Sequence, residues 1–520
     1  MFRRFSKLSW WKIELNDDTL TGLVYVFNLI VGTGALTLPK AFSTTGWALG
    51  LVVILILAFM SYLTVTLVIE AMSIANALIV KSRRDRSSTD SSLDEPDGIG
   101  PTGFGRERER DPLIPPELGE HHAHLRRQAN TAANFEIKER VEMGSMASMF
   151  FGKIGVYLFY LCIAIYLYGD LSIYIAAVSK SVRDVACSYT PNSTDVNSTN
   201  LLPNDSDPCW TFVYPIDRFF AYRIFSIIFM LVLGPFVFFN VQKTKYLQLT
   251  TTFMRWLAFI IMIGFSILKI ASSDNVPKNL PLANYQQLPN LFGVCVYSFM
   301  CHHSLPSLVT PISSKRRLFG LFFADYTLIT IFYLLLAFTG IFAFTNLEDL
   351  YTLNFKKDSY FAEDPYFIII FVTDYFLPLF PVFTLSTNFP IIAITLKNNL
   401  KALFQIHDDI EDENNSLIMS IRYGKWKQFW TNLGFPLLAI TPPFLIAIFV
   451  EDLQVLVSAT GSYAGAGIQY VIPVCLVYYA RKCFSSPSVI NTNPYASPFK
   501  TLNNFSFYYC CQDLFVLVSR

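Results

Sequence analysis

Of the 520 residues, 53% are hydrophobic and 15% charged, with a mean hydropathy of +0.40 and a net charge of +1. That balance excludes an ordinary soluble domain and points to a chain that crosses a membrane many times. Phe and Tyr together, at 48 and 27, outnumber the 39 acidic residues, as aromatic belts at the bilayer faces require.

The chain opens on a polar, basic stretch, Met1 to Lys12, with Arg3, Arg4 and Lys7, and no removable signal peptide is visible. The first apolar run is therefore expected to act as its own insertion signal, leaving residues 1–18 as a cytoplasmic tail. That run, Leu20 to Pro39, is long enough to enter a bilayer as a helix, yet it carries Gly32-Thr33-Gly34 at its middle. Small residues also serve as packing positions between membrane helices. Asn28 one turn earlier, Thr33 between the glycines and Pro39 soon after favour a broken helix instead. Backbone groups freed at membrane depth find no partner in lipid, so such a break lines a cavity or a binding site.

Gly46 to Ile69 is a second apolar run whose pattern extends to about Val80, so residues 19–80 are expected to hold the first two spans. Residues 81–150 read as a cytoplasmic, mostly disordered loop, rich in Ser, Asp, Arg, Pro and Gly and without apolar periodicity from about Ser82 to Lys138. Within it Glu109-Arg-Asp-Pro-Leu113-Ile114 fits the acidic dileucine pattern read by clathrin adaptors. It favours lysosomal or endosomal residence, with the plasma membrane as the alternative. The Glu120-His-His-Ala-His124 tract has neither cysteine nor scaffold and reads as a solvated stretch rather than a metal site.

The third span is expected within 151–180, from about Gly155 to Val178, with Asp170 as its one carboxylate, interfacial or buried. Residues 181–217 form a loop with three glycosylation acceptors, Asn192, Asn197 and Asn204, flanked by Cys187 and Cys209. Three sequons place it on the lumenal or extracellular side; a disulfide between the two cysteines is an open expectation. Residues 218–480 hold the fourth to tenth spans. The basic clusters that follow alternate spans, Lys243 and Lys245, Lys315 to Arg317, Lys397 to Lys427, and Arg481-Lys482, all fall on the side of the N-terminus. Arg255 and Lys269 are expected to snorkel to opposite interfaces of the fifth span. In 481–520, a cytoplasmic linker leads to Phe505–Val518, which is shorter than the roughly 17 residues of a clean span and reads either as a last helix or as an altered C-terminus.

The sixth span repeats the anomaly of the first. Gly293 to Ser307 gathers a glycine, small polar residues, His302-His303 and Pro306 at mid-membrane, where histidine is a functional candidate as proton carrier or polar lining. Two interrupted helices five spans apart are what an inverted-repeat transporter uses to hold its substrate.

Asn28 to Pro39, Tyr297-Ser298-Phe299 with His302 and Pro306, and Gly461-Ser-Tyr-Ala-Gly465 with Pro473 resemble the amino acid/auxin permease family of amino acid transporters. One group within it is similar over about Gly22 to Pro498, through Gly22–Gly34, Arg140–Phe151, Val241–Tyr246 and Ser386–Pro390. The resemblance implies an all-α polytopic membrane protein of about eleven helices in a five-plus-five inverted-repeat, LeuT-like architecture. It implies amino acid transport without naming the amino acid. Substrate contacts are expected at Gly32, Thr33, Gly34, Tyr297, Ser298 and His302. By similarity to sodium-coupled members, Asn28 and a hydroxyl or amide among Ser386, Thr387 and Asn388 are expected to hold a cation, and Asp170 is a candidate for proton coupling. The alternative for hydroxyls in the eighth span is to bond back to their own helix carbonyls, the commoner fate of membrane Ser and Thr.

The expected function is thus secondary active transport of an amino acid, coupled to sodium or protons. No cofactor is implied beyond a possible sodium ion, and no nucleic acid, since the partners are the amino acid, membrane lipid and a clathrin adaptor. No Gly-x-x-x-x-Gly-Lys-Ser/Thr loop suggests direct ATP use. The rival is a non-transporting amino acid sensor or scaffold on the same fold. An intramembrane enzyme with a histidine base lacks any accompanying His-Glu-x-x-His or Ser/His/Asp pattern.

Overall fold

A computed structural model describes residues 27, 30–90, 135–188, 206–210, 216–238, 245–272, 280–310, 312, 315–356, 367–411, 433–483 and 493–498. The first apolar segment breaks at its glycines. The Val31 N–H donates to the Phe27 carbonyl at 2.9 Å; Gly32 then turns out of the helix, and α1 starts afresh over Thr33–Thr45. Pro39 inside α1 has no N–H for the Ala35 carbonyl. The helix stops at Gly46, whose φ of +100° suits glycine and whose Cβ position is occupied by the Leu282 backbone, 2.7 Å away.

The remaining helices are α2 (Trp47–Asp90), α3 (Met143–Phe150), α4 (Lys153–Ala186), α5 (Arg218–Leu233), α6 (Lys245–Ser272) and α7 (Leu288–Ser298). A tight turn at His302–Ser304 leads into α8 (Leu305–Val309). Then come α9 (Leu318–Ala343), α10 (Leu353–Lys356), α11 (Phe367–Phe371) and α12 (Leu377–Glu411), the last two joined by a π-helical turn at Val372–Phe376. α13 (Phe435–Phe449) precedes α14 (Leu453–Thr460), which continues through two π-helical turns, Gly461–Gly465 and Gly467–Val471, into α15 (Ile472–Lys482).

Among the described residues seven stretches are helical, long and apolar enough to cross a membrane: Trp47–Arg83, Lys153–Ala186, Arg218–Phe238, Thr250–Ser272, Leu318–Ala343, Ile368–Phe404 and Leu453–Lys482. The first segment is described mainly from its break onward, the sixth is interrupted, and the ninth has a shorter apolar helix, Phe435–Phe449.

α4 is the hub of the bundle, with α5, α12, α13 and α14 packed on it, while α1 lies against α7 and α9. α7 crosses the tenth segment closely, since a Cβ on Gly461 would overlap the Gly293 carbonyl and one on Gly293 would overlap the Ser458 carbonyl. At one end of the bundle, polar side chains join the end of α4 to its neighbours. Lys180 pairs with Asp349 at 2.6 Å, Arg183 with Asp184 and Glu451, and Arg218 with Asp184. The Cys187–Cys209 disulfide closes this end over Ala221.

At the other end, parts of the mostly disordered loop expected over 81–150 are ordered. α2 continues to Asp90, and residues 135–150 are packed rather than loose. Phe135, Ile137, Val141 and Met146 are buried, and the Asn76 side chain of α2 accepts the Lys138 and Glu139 N–H groups at 3.1 and 2.9 Å. In the sequence these few apolar residues are diluted by the polar composition of the long stretch that precedes them. Beside them, Glu70 takes a bidentate bond from Arg481 at 2.6 and 2.8 Å and the Ser497 N–H at 2.8 Å, pinning the chain after the tenth segment to α2. The sequons at Asn192, Asn197 and Asn204, the Glu109–Leu113–Ile114 motif, the 120–124 histidine tract and the Phe505–Val518 segment all lie outside the described residues.

Candidate functional site

The two breaks come together at the centre of the bundle. The helix of the sixth segment ends at Ser298 and resumes only after Cys301, opposite the Gly32 break in the first. Helix ends leave N–H and C=O groups without intrahelical partners, and inside a membrane these must be met by side chains or by a ligand.

Side chains from four segments converge here, and one of them, Tyr333, reaches the free carbonyls. The Thr33 hydroxyl is 3.2 Å from the Tyr297 hydroxyl, joining the start of α1 to the end of α7. The Tyr297 hydroxyl donates to the Asp170 carboxylate of α4, which is buried in the protein at 7% exposure. From α9, the Tyr333 hydroxyl lies 2.9 Å from the Ser298 carbonyl and 3.3 Å from the Ile30 carbonyl, one donor serving the last carbonyls of both interrupted helices. Tyr333 is fully buried and its ring leans on Phe299 with centroids 5.4 Å apart.

The two glycines of the first segment have different surroundings. A Cβ on Gly34 would collide with Ser298, whereas one on Gly32 meets nothing within 4 Å among the described residues. Open space therefore lies at the break itself, beside the N-terminal end of α1, whose partial positive charge suits an anion.

His302 is fully buried, and its Nε2 is 2.8 Å from the Thr64 hydroxyl of α2, so its bonded neighbour is α2 rather than the Thr33–Tyr297 pair. Its Nδ1 has no partner among the described residues, and neither has that of His303. Tyr166 of α4 stands between Tyr297 and His303, with ring centroids 6.3 and 5.5 Å away. The Ser298 hydroxyl bonds back to the Val294 carbonyl at 2.7 Å, so this residue reaches the site through its backbone.

Of the residues expected to hold a cation, Asn28 lies outside the described residues. Thr387 bonds back to the Thr384 carbonyl of its own helix at 2.9 Å, while Ser386 and Asn388 are half-buried beside it. Arg255 corrects the snorkelling expectation. It is buried, 7% exposed, within electrostatic reach of Tyr174 and Tyr333, because the fifth segment turns this face toward α9. Lys269 lies over the Phe344 ring, 4.4 Å from its centroid.

Tyr333 and Tyr166 were not legible as site residues, since each sits in an apolar run indistinguishable from core. Arg255 carried a signal, an ionisable residue within a span, which points inward more often than outward.

The profile of the family described as "Transmembrane amino acid transporter protein" matches residues 16–89 and 128–502. Among curated relatives, Transmembrane protein 104 of Mus musculus is 47% identical over 488 residues, covering 92% of this chain and 91% of its own. The Transmembrane protein 104 homolog of Drosophila melanogaster is 46% identical over 507 residues, 93% of this chain and 92% of its own. That of Dictyostelium discoideum is 36% identical over 513 residues, 92% and 91% of the two chains.

Proposed function

Because the chain belongs to the transmembrane amino acid transporter protein family, we propose that it is a secondary active transporter that carries an amino acid across a membrane, coupled to sodium or protons. The observation that carries this reading is the bonded series Thr33–Tyr297–Asp170, which links both interrupted helices to a buried carboxylate. Any ion that changes the charge on Asp170 changes the bond that Tyr297 makes, and with it the join between the two half-helices.

In this reading the substrate carboxylate sits in the open space at Gly32, on the first N–H groups of α1. Thr33 and Tyr297 present hydroxyls to it, the Ser298 carbonyl is drawn from Tyr333 toward the substrate amine, and His302 with Thr64 lines the far side. Gly34 contributes closeness of approach rather than contact. Asn28 and the Ser386–Asn388 turn remain the proposed sodium ligands. The architecture is the eleven-helix, five-plus-five inverted repeat, with the N-terminus and residues 81–150 cytoplasmic and the sequon loop glycosylated at Asn192, Asn197 and Asn204. The Glu109–Leu113–Ile114 motif engages a clathrin adaptor and directs the protein to lysosomes or endosomes.

The test is accumulation of radiolabelled amino acids by proteoliposomes holding the purified full chain, under an inward sodium or proton gradient. Uptake beyond equilibrium that collapses with the gradient is expected. Binding without accumulation under either gradient overturns transport and leaves an amino acid sensor.

A further inference from the structure

Asp325 of α9 is fully buried, and neither of its carboxyl oxygens has a hydrogen-bond partner among the described residues. Phe322 and Ile329, one turn to either side on the same face, are fully buried and apolar. The polar groups nearby are occupied with one another. The Cys301 sulfur and the Tyr326 hydroxyl are 3.2 Å apart, and that hydroxyl donates to the Phe299 carbonyl at 3.3 Å, inside the break of the sixth segment. Both are within electrostatic reach of Asp325.

The charged and titratable groups on the elements packed against α9 are directed elsewhere. On α2, Tyr62 donates to the Phe319 carbonyl at 3.3 Å. On α6, Arg255 lies near Tyr174 and Tyr333, and Lys269 covers the Phe344 ring. Lys40 of α1 is half-buried, Lys315 in the turn before α9 donates to the Thr310 carbonyl at 3.1 Å, and Arg317 is exposed. None supplies a donor to either Asp325 oxygen.

An ionised carboxyl in such a place has lost its water and gained neither a cation nor an N–H, whereas a protonated one carries no charge. We propose that Asp325 is a second proton-binding site, distinct from Asp170, which holds its proton while the break of the sixth segment is packed as here and exchanges it when Cys301 and Tyr326 part. Two carboxyls then flank the sixth-segment break, Asp170 bonded to Tyr297 before it and Asp325 beside Cys301 within it. The binding of the proton stands on this geometry; its use as a transported ion rests on the transport reading.

Infrared spectroscopy of the full chain in lipid vesicles at neutral pH tests the site without any transport assay. The wild type is expected to show a carbonyl-stretch band of a protonated carboxylic acid that Asp325→Asn removes and Asp170→Asn leaves in place. Asn has the shape of the neutral acid, so the variant should fold; if it does not, Asp325→Glu reads the same property as a displaced band. A spectrum in which no acid band responds to substitution at 325, or a band that sodium chloride abolishes relative to choline chloride, overturns the assignment. Uptake measured on the same vesicles separates the two readings, because the band can be present in a protein that accumulates nothing.

Discussion

A Cβ built on Gly34 would stand 2.5 Å from the Ser298 hydroxyl oxygen and 2.7 Å from the Ser298 Cα, so α1 and α7 touch there backbone to backbone. Gly34→Ala must push the two half-helices apart, with an expected loss of about 1–3 kcal/mol, the usual range for overpacking a close contact. Gly32→Ala points its methyl into open space and should melt with the wild type. Thermal unfolding followed by size-exclusion fluorescence distinguishes them. Gly32→Leu, which fills that space, should keep its melting temperature and lose uptake.

Tyr333 is the shared donor for the Ser298 and Ile30 carbonyls. Tyr333→Phe keeps the ring on Phe299 and leaves two buried carbonyls without it, at an expected cost of about 1–3 kcal/mol. A melting temperature equal to the wild type's would mean that another group, or water, already serves them.

Tyr297 and Asp170 act through one bond if the proposed coupling is correct. Tyr297→Phe and Asp170→Asn should each impair ion-driven uptake, and the double variant should be no worse than the poorer single one. The interaction energy from that cycle is expected at about 0.5–3 kcal/mol. Additive losses would show that the two residues work separately.

Arg481→Ala strips the bidentate partner from Glu70, whose side chain is fully buried. An uncompensated buried charge should cost about 3 kcal/mol, and Glu70→Gln in the same chain should recover part of it. Melting temperatures of the two singles and the double are sufficient. Equal melting of Arg481→Ala and the wild type would show that the Ser497 N–H alone holds the carboxylate.

The Cys187–Cys209 disulfide closes a loop with a sequence separation of 22. Replacing both cysteines by serine should cost about 2–4 kcal/mol, chiefly by freeing the unfolded chain. In sealed cells or vesicles a membrane-impermeant reductant should reach this bond only from the face that carries the sequon loop, which checks the proposed orientation.

What the sequence determined by itself was what bilayer physics imposes on every segment. Apolar length marked the spans, and Gly32-Thr33-Gly34 and the Gly293–Ser307 stretch marked the two interruptions, because a broken helix in lipid needs residues that tolerate or satisfy free backbone groups. The pair Thr33 and Tyr297, named from separate segments, do share a hydrogen bond. Only the tertiary structure decided which face each residue turned. Gly32 and Gly34 are two residues apart and read alike, yet one borders open space and the other meets Ser298. Tyr333 and Asp325 lie in one apolar helix, and their depth and partners depend on how α9 packs against α1, α2 and α6, a relation between segments that local patterning does not encode. The ordered stretch at 135–150 was hidden for a related reason, since its few apolar residues are buried by a surface on α2 that exists only in the folded chain.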